Sequence, residues 1–309
     1  MICCGNIDTI SPKINEDHLT IDVSSLNMNA VDAENLWKTS SVFSEYKFIE
    51  QIGKGSFSDV WKAQHIFNKT IVAIKVAKTS SFASDILVKE FVALKKFDSK
   101  FIVSPDCFFY GRNNCVFMIL PLYHNDLFSI VDESERLDER ALQNIVRDIG
   151  AAIQLIHAKN FVHRDVKPEN IFVTTGNTCV LGDFGSVEHE DVMTLSSLVG
   201  TSSYIAPEVV LAASRPSEGS FNVGKPSDIY GLGQTLYMAA TRSNAIPHTN
   251  NLRKLAAIIP ELDMMSLVDD LDRSYDFKSL LRGMLDPHPV QRLTIGEIMK
   301  HPFIRRMFL

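Results

Sequence analysis

His163-Arg164-Asp165-Val166-Lys167-Pro168-Glu169-Asn170 places a carboxylate, a lysine and an amide at fixed offsets around a proline, and Asp183-Phe184-Gly185 begins thirteen residues after Asn170. That set suits phosphoryl transfer. One Asp can receive a hydroxyl proton, the Lys can face a phosphate, and the Asn with the second Asp can hold Mg²⁺. A lone Asp-Phe-Gly is often only a turn, but the complete loop at this separation makes chance a poor explanation. The apolar flanks Phe161-Val162 and Ile171-Phe172-Val173 read as strands that hold the polar loop on a rigid base.

Two upstream stretches fit a nucleotide. Val72-Ala73-Ile74-Lys75 sets a lysine on an apolar strand. A surface strand lysine is the plain alternative. Flanking Val72, Ile74 and Val76 point instead to a lysine in a largely buried cleft, where it needs an anionic partner. Glu90, on the following predicted helix, is the natural one. Ile52-Gly53-Lys54-Gly55-Ser56-Phe57-Ser58-Asp59-Val60 puts two glycines between two strands, where the backbone can approach phosphate oxygens closely. Two glycines in a hairpin are more often just a turn, so the context has to carry this reading. Gly219-Ser220-Phe221-Asn222-Val223-Gly224-Lys225 nearly matches a Walker A loop. Pro226 follows it with neither a hydroxyl nor an N–H, and no buried strand precedes it, so it reads as a plain loop.

The elements that must position these residues change character along the chain. Residues 1–45 are rich in Ser, Asn and Asp, and read as a mostly disordered tail with a short helix near Val31–Trp37. Tyr46–Gly53, Asp59–His65 and Thr70–Ala77 read as three strands. Ser84–Phe97 reads as an amphipathic helix with Phe91, Leu94 and Phe97 near one face. Asp106–Tyr110 and Cys115–Leu120 read as two more strands around the turn Gly111-Arg112-Asn113-Asn114. Helices dominate afterwards, at Arg140–Ala158, Lys225–Met238 and Phe277–Leu285. A strand-rich first third and a helix-rich remainder imply two lobes with a cleft between them.

With 309 residues the chain suffices for one two-lobed domain or two small ones, and 45% hydrophobic residues allow a sizeable core. A net charge of −6 argues against a general nucleic-acid binder. No apolar run approaches the length that crosses a bilayer, so integral membrane association is not expected. The five cysteines, Cys3, Cys4, Cys107, Cys115 and Cys179, are odd in number and irregular in spacing, which fits a reduced cytoplasmic or nuclear compartment. Cys3-Cys4 could carry acyl chains, but two unmodified tail cysteines are the simpler reading. Cys179 reads as a small buried apolar residue, and the nine His form no metal-spaced cluster.

Taken together, these motifs resemble the eukaryotic-type protein kinase superfamily over roughly residues 46–305. Lys167, two residues past Asp165, resembles the serine/threonine type, and Gly200-Thr201-Ser202-Ser203-Tyr204-Ile205-Ala206-Pro207-Glu208 agrees. The resemblance implies an α+β, bilobal protein-kinase-like fold. A small antiparallel-sheet N-lobe (46–118) would lead through a hinge (119–123) into a large helical C-lobe (124–305). It implies ATP and Mg²⁺ as cofactors and protein substrates with serine or threonine acceptors; the oligomeric state stays open. ATP would be held by Ile52, Gly53, Lys54, Gly55, Ser56, Phe57, Ser58 and Val60, with Val60 over the adenine, and by Ala73, Lys75, Glu90 and Phe172. Asp165 is implied as catalytic base, Lys167 as facing the γ-phosphate, and Asn170 and Asp183 as Mg²⁺ ligands. Thr201 would support Asp165 and Lys167, Asp228 would anchor the loop backbone, and Glu208 would pair with Arg292.

Three departures from that pattern bear on function. Ser58 stands where the third glycine of the loop usually lies. Extra sequence, Ala213–Val223, lies close to where a protein substrate would dock. Arg164 before the catalytic Asp usually marks control by an activation-segment phosphate, for which Ser197, then Ser196, then Thr194 are the candidates; yet Glu188 stands where related kinases often supply a basic residue. Either the phosphate pocket is weak or acidic residues partly replace the phosphate. Glu169, helped by Asp126, could receive a basic residue of the target, although Met238 stands where strongly basophilic kinases tend to carry a further glutamate. Two other classes compete. A nucleotide-binding pseudokinase scaffold is opposed by the intact Lys75, Glu90, Asp165, Asn170 and Asp183. A small-molecule phosphotransferase is opposed by the Gly200–Glu208 segment.

Overall fold

The computed structural model describes residues 45–110, 116–134, 136–192, 203–214, 223–249 and 251–305. The expected tail helix, the 111–114 turn, Thr194, Ser196, Ser197 and Thr201 lie outside these residues. Contacts divide the chain into two units, Met1–Ala93 with Pro105–Leu122, and Leu94–Ser104 with Tyr123–Leu309.

The first unit is an antiparallel sheet with one helix. Its strands are β1 (Tyr46–Lys54), β2 (Ser58–His65), β3 (Ile71–Ala77), β4 (Cys107–Tyr110) and β5 (Val116–Pro121), in the order β1-β2-β3-β5-β4. Alternation along β3 separates two faces. Val72, Ile74 and Val76 join Ala63, Phe117 and Ile119 in one buried cluster, with Phe48, Trp61 and Phe109 packed against it. Ala73 and Lys75 therefore stand on the opposite face, across from Leu120 and Met118 of β5. Helix α1 (Ser81–Lys95) begins three residues earlier than its apolar period suggests. The cause is a cap: Ser80 Oγ accepts the Ala83 amide at 3.0 Å. Ala83, Leu87, Glu90 and Leu94 share its buried stripe, so Glu90 is carried inward with the apolar residues.

The second unit is mainly helical. Short strand β6 (Asn125–Asp126) leads into α2 (Leu127–Glu133), and α3 (Glu139–Ala158) follows. Asp138 caps α3 by accepting the Ala141 amide at 2.8 Å, and Leu142, Ile145, Ile149, Ile153 and Ile156 form its buried stripe. The two apolar flanks of the polar loop are β7 (Phe161–Val162) and β8 (Ile171–Val173). β8 lies between β6 and β9 (Cys179–Leu181), and β7 pairs with β10 (Glu188–His189). Next come α4 (Pro207–Ser214), α5 (Lys225–Thr241), α6 (Leu252–Ile258), α7 (Met264–Asp269), α8 (Tyr275–Met284), α9 (Ile295–Ile298) and α10 (Pro302–Arg305). Residues 94–104, counted above with the first lobe, group with this unit: Val103 donates to the Leu181 carbonyl at 2.9 Å and the Leu181 amide donates to Phe101 at 2.8 Å. Among the described residues no helix is long and apolar enough to cross a membrane.

Candidate active site

In the first unit, Lys75 Nζ donates to both carboxylate oxygens of Glu90, each at 2.7 Å. The side chains are 14% and 3% exposed. Neither charge could sit there alone without a large desolvation cost, so each fixes the other. Val60 lies across from Lys75 in the β2–β3 register and across from Gly53 in β1–β2. Ile52 and Phe57 remain exposed, whereas Ala73 is buried.

In the second unit, the polar loop is held from behind by one buried carboxylate. Asp228, in the first turn of α5, accepts the Arg164 amide on Oδ1 at 2.7 Å and the His163 amide on Oδ2 at 2.8 Å. His157 Nε2 donates to the same Oδ2 at 2.8 Å. Burial alone would raise the Asp228 carboxyl, but the His157 hydrogen bond and the neighbouring His157 and His163 hold it below its ordinary value. These bonds matter because Arg164 adopts a left-handed φ of 69°, uncommon for a residue with a Cβ. Helix α5 can come this close only through Gly231, where a Cβ would stand 2.8 Å from the Val166 carbonyl.

On that base the functional groups converge. Lys167 Nζ donates to Asp165 Oδ2 at 2.7 Å, and Asn170 Nδ2 donates to the same oxygen at 3.0 Å and to the Asp165 carbonyl at 2.9 Å. Pro168–Asn170 form a 3₁₀ turn, which brings Lys167 and Asn170, three positions apart, onto one side. The Gly182 amide donates to the Asn170 carbonyl at 2.9 Å, so Asp183 follows directly from backbone bonded to Asn170. His163 ties the same segments together, with Nδ1 accepting the Asp165 amide at 3.4 Å and Nε2 donating to the Gly182 carbonyl at 3.1 Å. Its ring meets Phe184 edge-on at 5.0 Å. Asp183 itself is left-handed, with φ 53°. Phe172 stacks on Tyr123 at 5.1 Å.

An oxygen-seeking cation such as Mg²⁺ fits this donor set. With the Asn170 nitrogen bonded to Asp165, its amide oxygen is the atom that would be left to bind such a cation. Burial raises the Glu169 carboxyl above its ordinary value; its own backbone hydrogen bond and Lys167 oppose this, while Asp165 and Asp126 add to it. Among the described residues no group of three or more His, Cys, Asp or Glu is arranged as a metal cage.

Arg164 carries a second set of contacts. Its Nε donates to the Ser186 carbonyl at 2.6 Å, and its Nη1 lies 2.7 Å from Glu188 Oε2. Glu188 therefore faces Arg164 as a partner. Two residues on, just past β10, Glu190 Oε2 lies 3.0 Å from Lys225, which also donates to Asn160 at 2.9 Å. Lys225, the lysine of the Walker-like stretch, is thus committed to a carboxylate at the start of α5.

Glu208 and Arg292 form a bidentate pair, Nη1–Oε1 at 2.7 Å and Nη2–Oε2 at 3.0 Å. Further Arg292 donors reach the Asp286 and Pro226 carbonyls, and the guanidinium lies over the Tyr230 ring at 5.0 Å. Replacing Arg292 with Met should cost about 3–5 kcal/mol, because Glu208 is left buried and unpaired. Urea unfolding checks this, and a change within about 0.5 kcal/mol would show that the clamp does not hold α4.

Sequence reasoning passed over His157 and Asp148. Asp148 is fully buried and accepts the Cys179 amide at 2.9 Å, so it anchors β9 from α3. The signal was a charged residue inside the apolar period of α3. Cys179 is buried, and burial, with Asp148 adding to it, pushes its thiol up to about 12.

The family model described as protein kinase domain matches residues 46–304. The chain is 30% identical over 267 residues to the serine/threonine-protein kinase TIO of Arabidopsis thaliana, covering 84% of this chain and 19% of that protein. It is 25% identical over 274 residues to the serine/threonine-protein kinase ATG1b of the same plant, covering 86% and 37%. Over 199 residues it is 31% identical to the phosphorylase b kinase gamma catalytic chain, liver/testis isoform, of Bos taurus, covering 64% and 48%. The chain spans less than half the length of these relatives.

Proposed function

The chain belongs to the protein kinase family and is of its serine/threonine type, and from that membership we propose that it transfers the γ-phosphoryl group of Mg-ATP to serine or threonine hydroxyls of proteins. The observation that carries the proposal is the convergence of Lys167 and Asn170 on Asp165 Oδ2. A carboxylate has about four acceptor sites, so Asp165 retains the capacity to take a hydroxyl proton while those two donors hold it in place. Lys167 would then offset charge on the transferring phosphoryl group. Lys75, kept in place by Glu90, would hold the α- and β-phosphates. Asn170 and Asp183 would hold Mg²⁺, whose contribution is to neutralise charge on the phosphate oxygens.

Transfer of labelled phosphate from ATP to generic protein acceptors tests this, with turnover expected at about 1–100 s⁻¹. Labelling of free metabolites but no protein would favour a small-molecule phosphotransferase. Nucleotide binding with no transfer to either would favour a scaffold.

The Arg164–Glu188 pair bears on control. A carboxylate already supplies the anion that Arg164 would otherwise find in a phosphate on Ser197 or Ser196, so catalysis should depend little on that modification. Phosphatase-treated enzyme, Ser196→Ala and Ser197→Ala should each retain activity within about threefold of the untreated protein. Glu188→Gln should lower it by about tenfold and render it phosphate-dependent, since burial pulls the Arg164 guanidinium down and Glu188 is the first group opposing that. Loss of nearly all activity on phosphatase treatment would show that Glu188 does not replace a phosphate.

A further inference from the structure

The turn between β1 and β2 is tight. The Gly55 amide donates to the Ser58 carbonyl at 2.8 Å, and a Cβ on Gly55 would stand 3.0 Å from that same oxygen. A side chain there would crowd the turn, and the freedom of glycine leaves the turn with many accessible backbone states unless something outside it selects one. Lys78 supplies that selection from just beyond β3. Its amide donates to the Phe57 carbonyl at 2.8 Å, its Nζ donates to the Gly55 carbonyl at 2.5 Å, and its Nζ lies 3.8 Å from Asp59 Oδ1. One residue thus grips the turn at positions 55 and 57 and at its exit. A second fastening lies alongside: Phe57 meets Phe82, in the first turn of α1, edge-on at 5.5 Å.

The bond to Gly55 has a directional consequence. The carbonyl of Gly55 and the amide of Ser56 belong to one trans peptide, so they point to opposite sides of it. Capturing the carbonyl on the Lys78 side turns the Ser56 N–H away from Lys78. A charged donor makes this a stronger restraint than a neutral one would.

We infer, on the basis of the nucleotide-binding reading above, that Lys78 is a positioning residue for the phosphate-binding turn: it fixes the Gly55–Ser56 peptide so that the Ser56 amide is presented to a nucleotide phosphate. Lys78 belongs to none of the motifs that point to nucleotide binding. It acts through the backbone of the turn and leaves contact with the base to other residues. Its loss should therefore weaken ligands in proportion to their phosphates.

Calorimetric titration of the full chain with Mg-ATP and with adenosine tests this. Lys78→Met should weaken Mg-ATP by about five- to tenfold while adenosine changes by less than about twofold. Lys78→Arg should recover most of the loss, because a guanidinium can donate to the same carbonyl. In nucleotide-free protein, Lys78→Met should move the Ser56 amide nitrogen resonance and Lys78→Arg should leave it near its wild-type position. Unchanged Mg-ATP affinity in Lys78→Met, or equal losses for ATP and adenosine, would overturn the role. So would an unmoved Ser56 resonance, which would make Lys78 a bare charge near the phosphates. A wild-type protein that bound no Mg-ATP would overturn the nucleotide reading itself, which distinguishes that failure from the loss of the Lys78 role alone.

Discussion

Asp165→Asn should lower phosphoryl transfer by about 10²–10⁴-fold with the fold intact, the range that a positioned general base contributes. Asparagine keeps the size of the side chain and can still accept from Lys167, so what is lost is the ability to take a proton. Asp183→Asn should produce a loss of similar size for another reason. It removes a negative charge from the set proposed to hold the cation, while its backbone continues from Gly182, still bonded to Asn170. Both variants should unfold in urea near the wild-type midpoint. The decisive measurement is initial rate of transfer from labelled ATP with purified proteins. A purified Asp183→Asn enzyme that kept most of its activity would remove Asp183 from the cation site, and the same result for Asp165→Asn would remove the base.

The Lys75–Glu90 pair should give the second large effect, and its form is as informative as its size. Lys75→Met should reduce transfer by about 10²–10³-fold, in line with losing one charge-stabilising donor. Glu90→Gln should cost about tenfold, because it acts only by releasing Lys75 from its two 2.7 Å contacts. The double variant should be no slower than Lys75→Met alone, since a group that acts only through another has nothing left to act on. Stability should follow a different pattern. Lys75→Met removes the ammonium that faces a buried carboxylate and should cost about 3 kcal/mol, whereas the double variant replaces both charges and should recover much of that. Rate losses that multiply would show that Glu90 is not the partner of Lys75.

How far these groups can be read from the chain depends on how far apart they lie in it. Asp165, Lys167 and Asn170 are two and five positions apart, within one loop and one 3₁₀ turn, so their spacing already implies their meeting. The strands and helices were equally open to reading wherever one face is apolar, as in α3 and β3. Ends were less so, because caps set them: Ser80 starts α1 before its apolar period does, and Ser274 starts α8 by accepting the Phe277 amide at 3.2 Å.

What the chain alone determined is therefore mostly local, namely the identity and order of the chemical groups and the periodicity that places Glu90 on a buried stripe; beyond that, only the family pattern named distant partners, such as Glu208 and Arg292. Tertiary structure decided which carboxylate meets which cation where no pattern stood ready. The sequence carries 37 acidic and 31 basic residues, so charge complementarity leaves many pairings equally open. Packing selected among them. It set Glu188 against Arg164, where residue types left open either a weak phosphate pocket or an acidic stand-in for the phosphate. It gave Lys225 to Glu190, and it brought Lys78 to a carbonyl 23 residues away. Such pairs are fixed by the close approach of backbones, as at Gly231 against Val166, and at Arg164 also by the cost of leaving a partly buried charge without its partner. Both are properties of three-dimensional proximity, and neither leaves a spacing in the chain from which it could have been read.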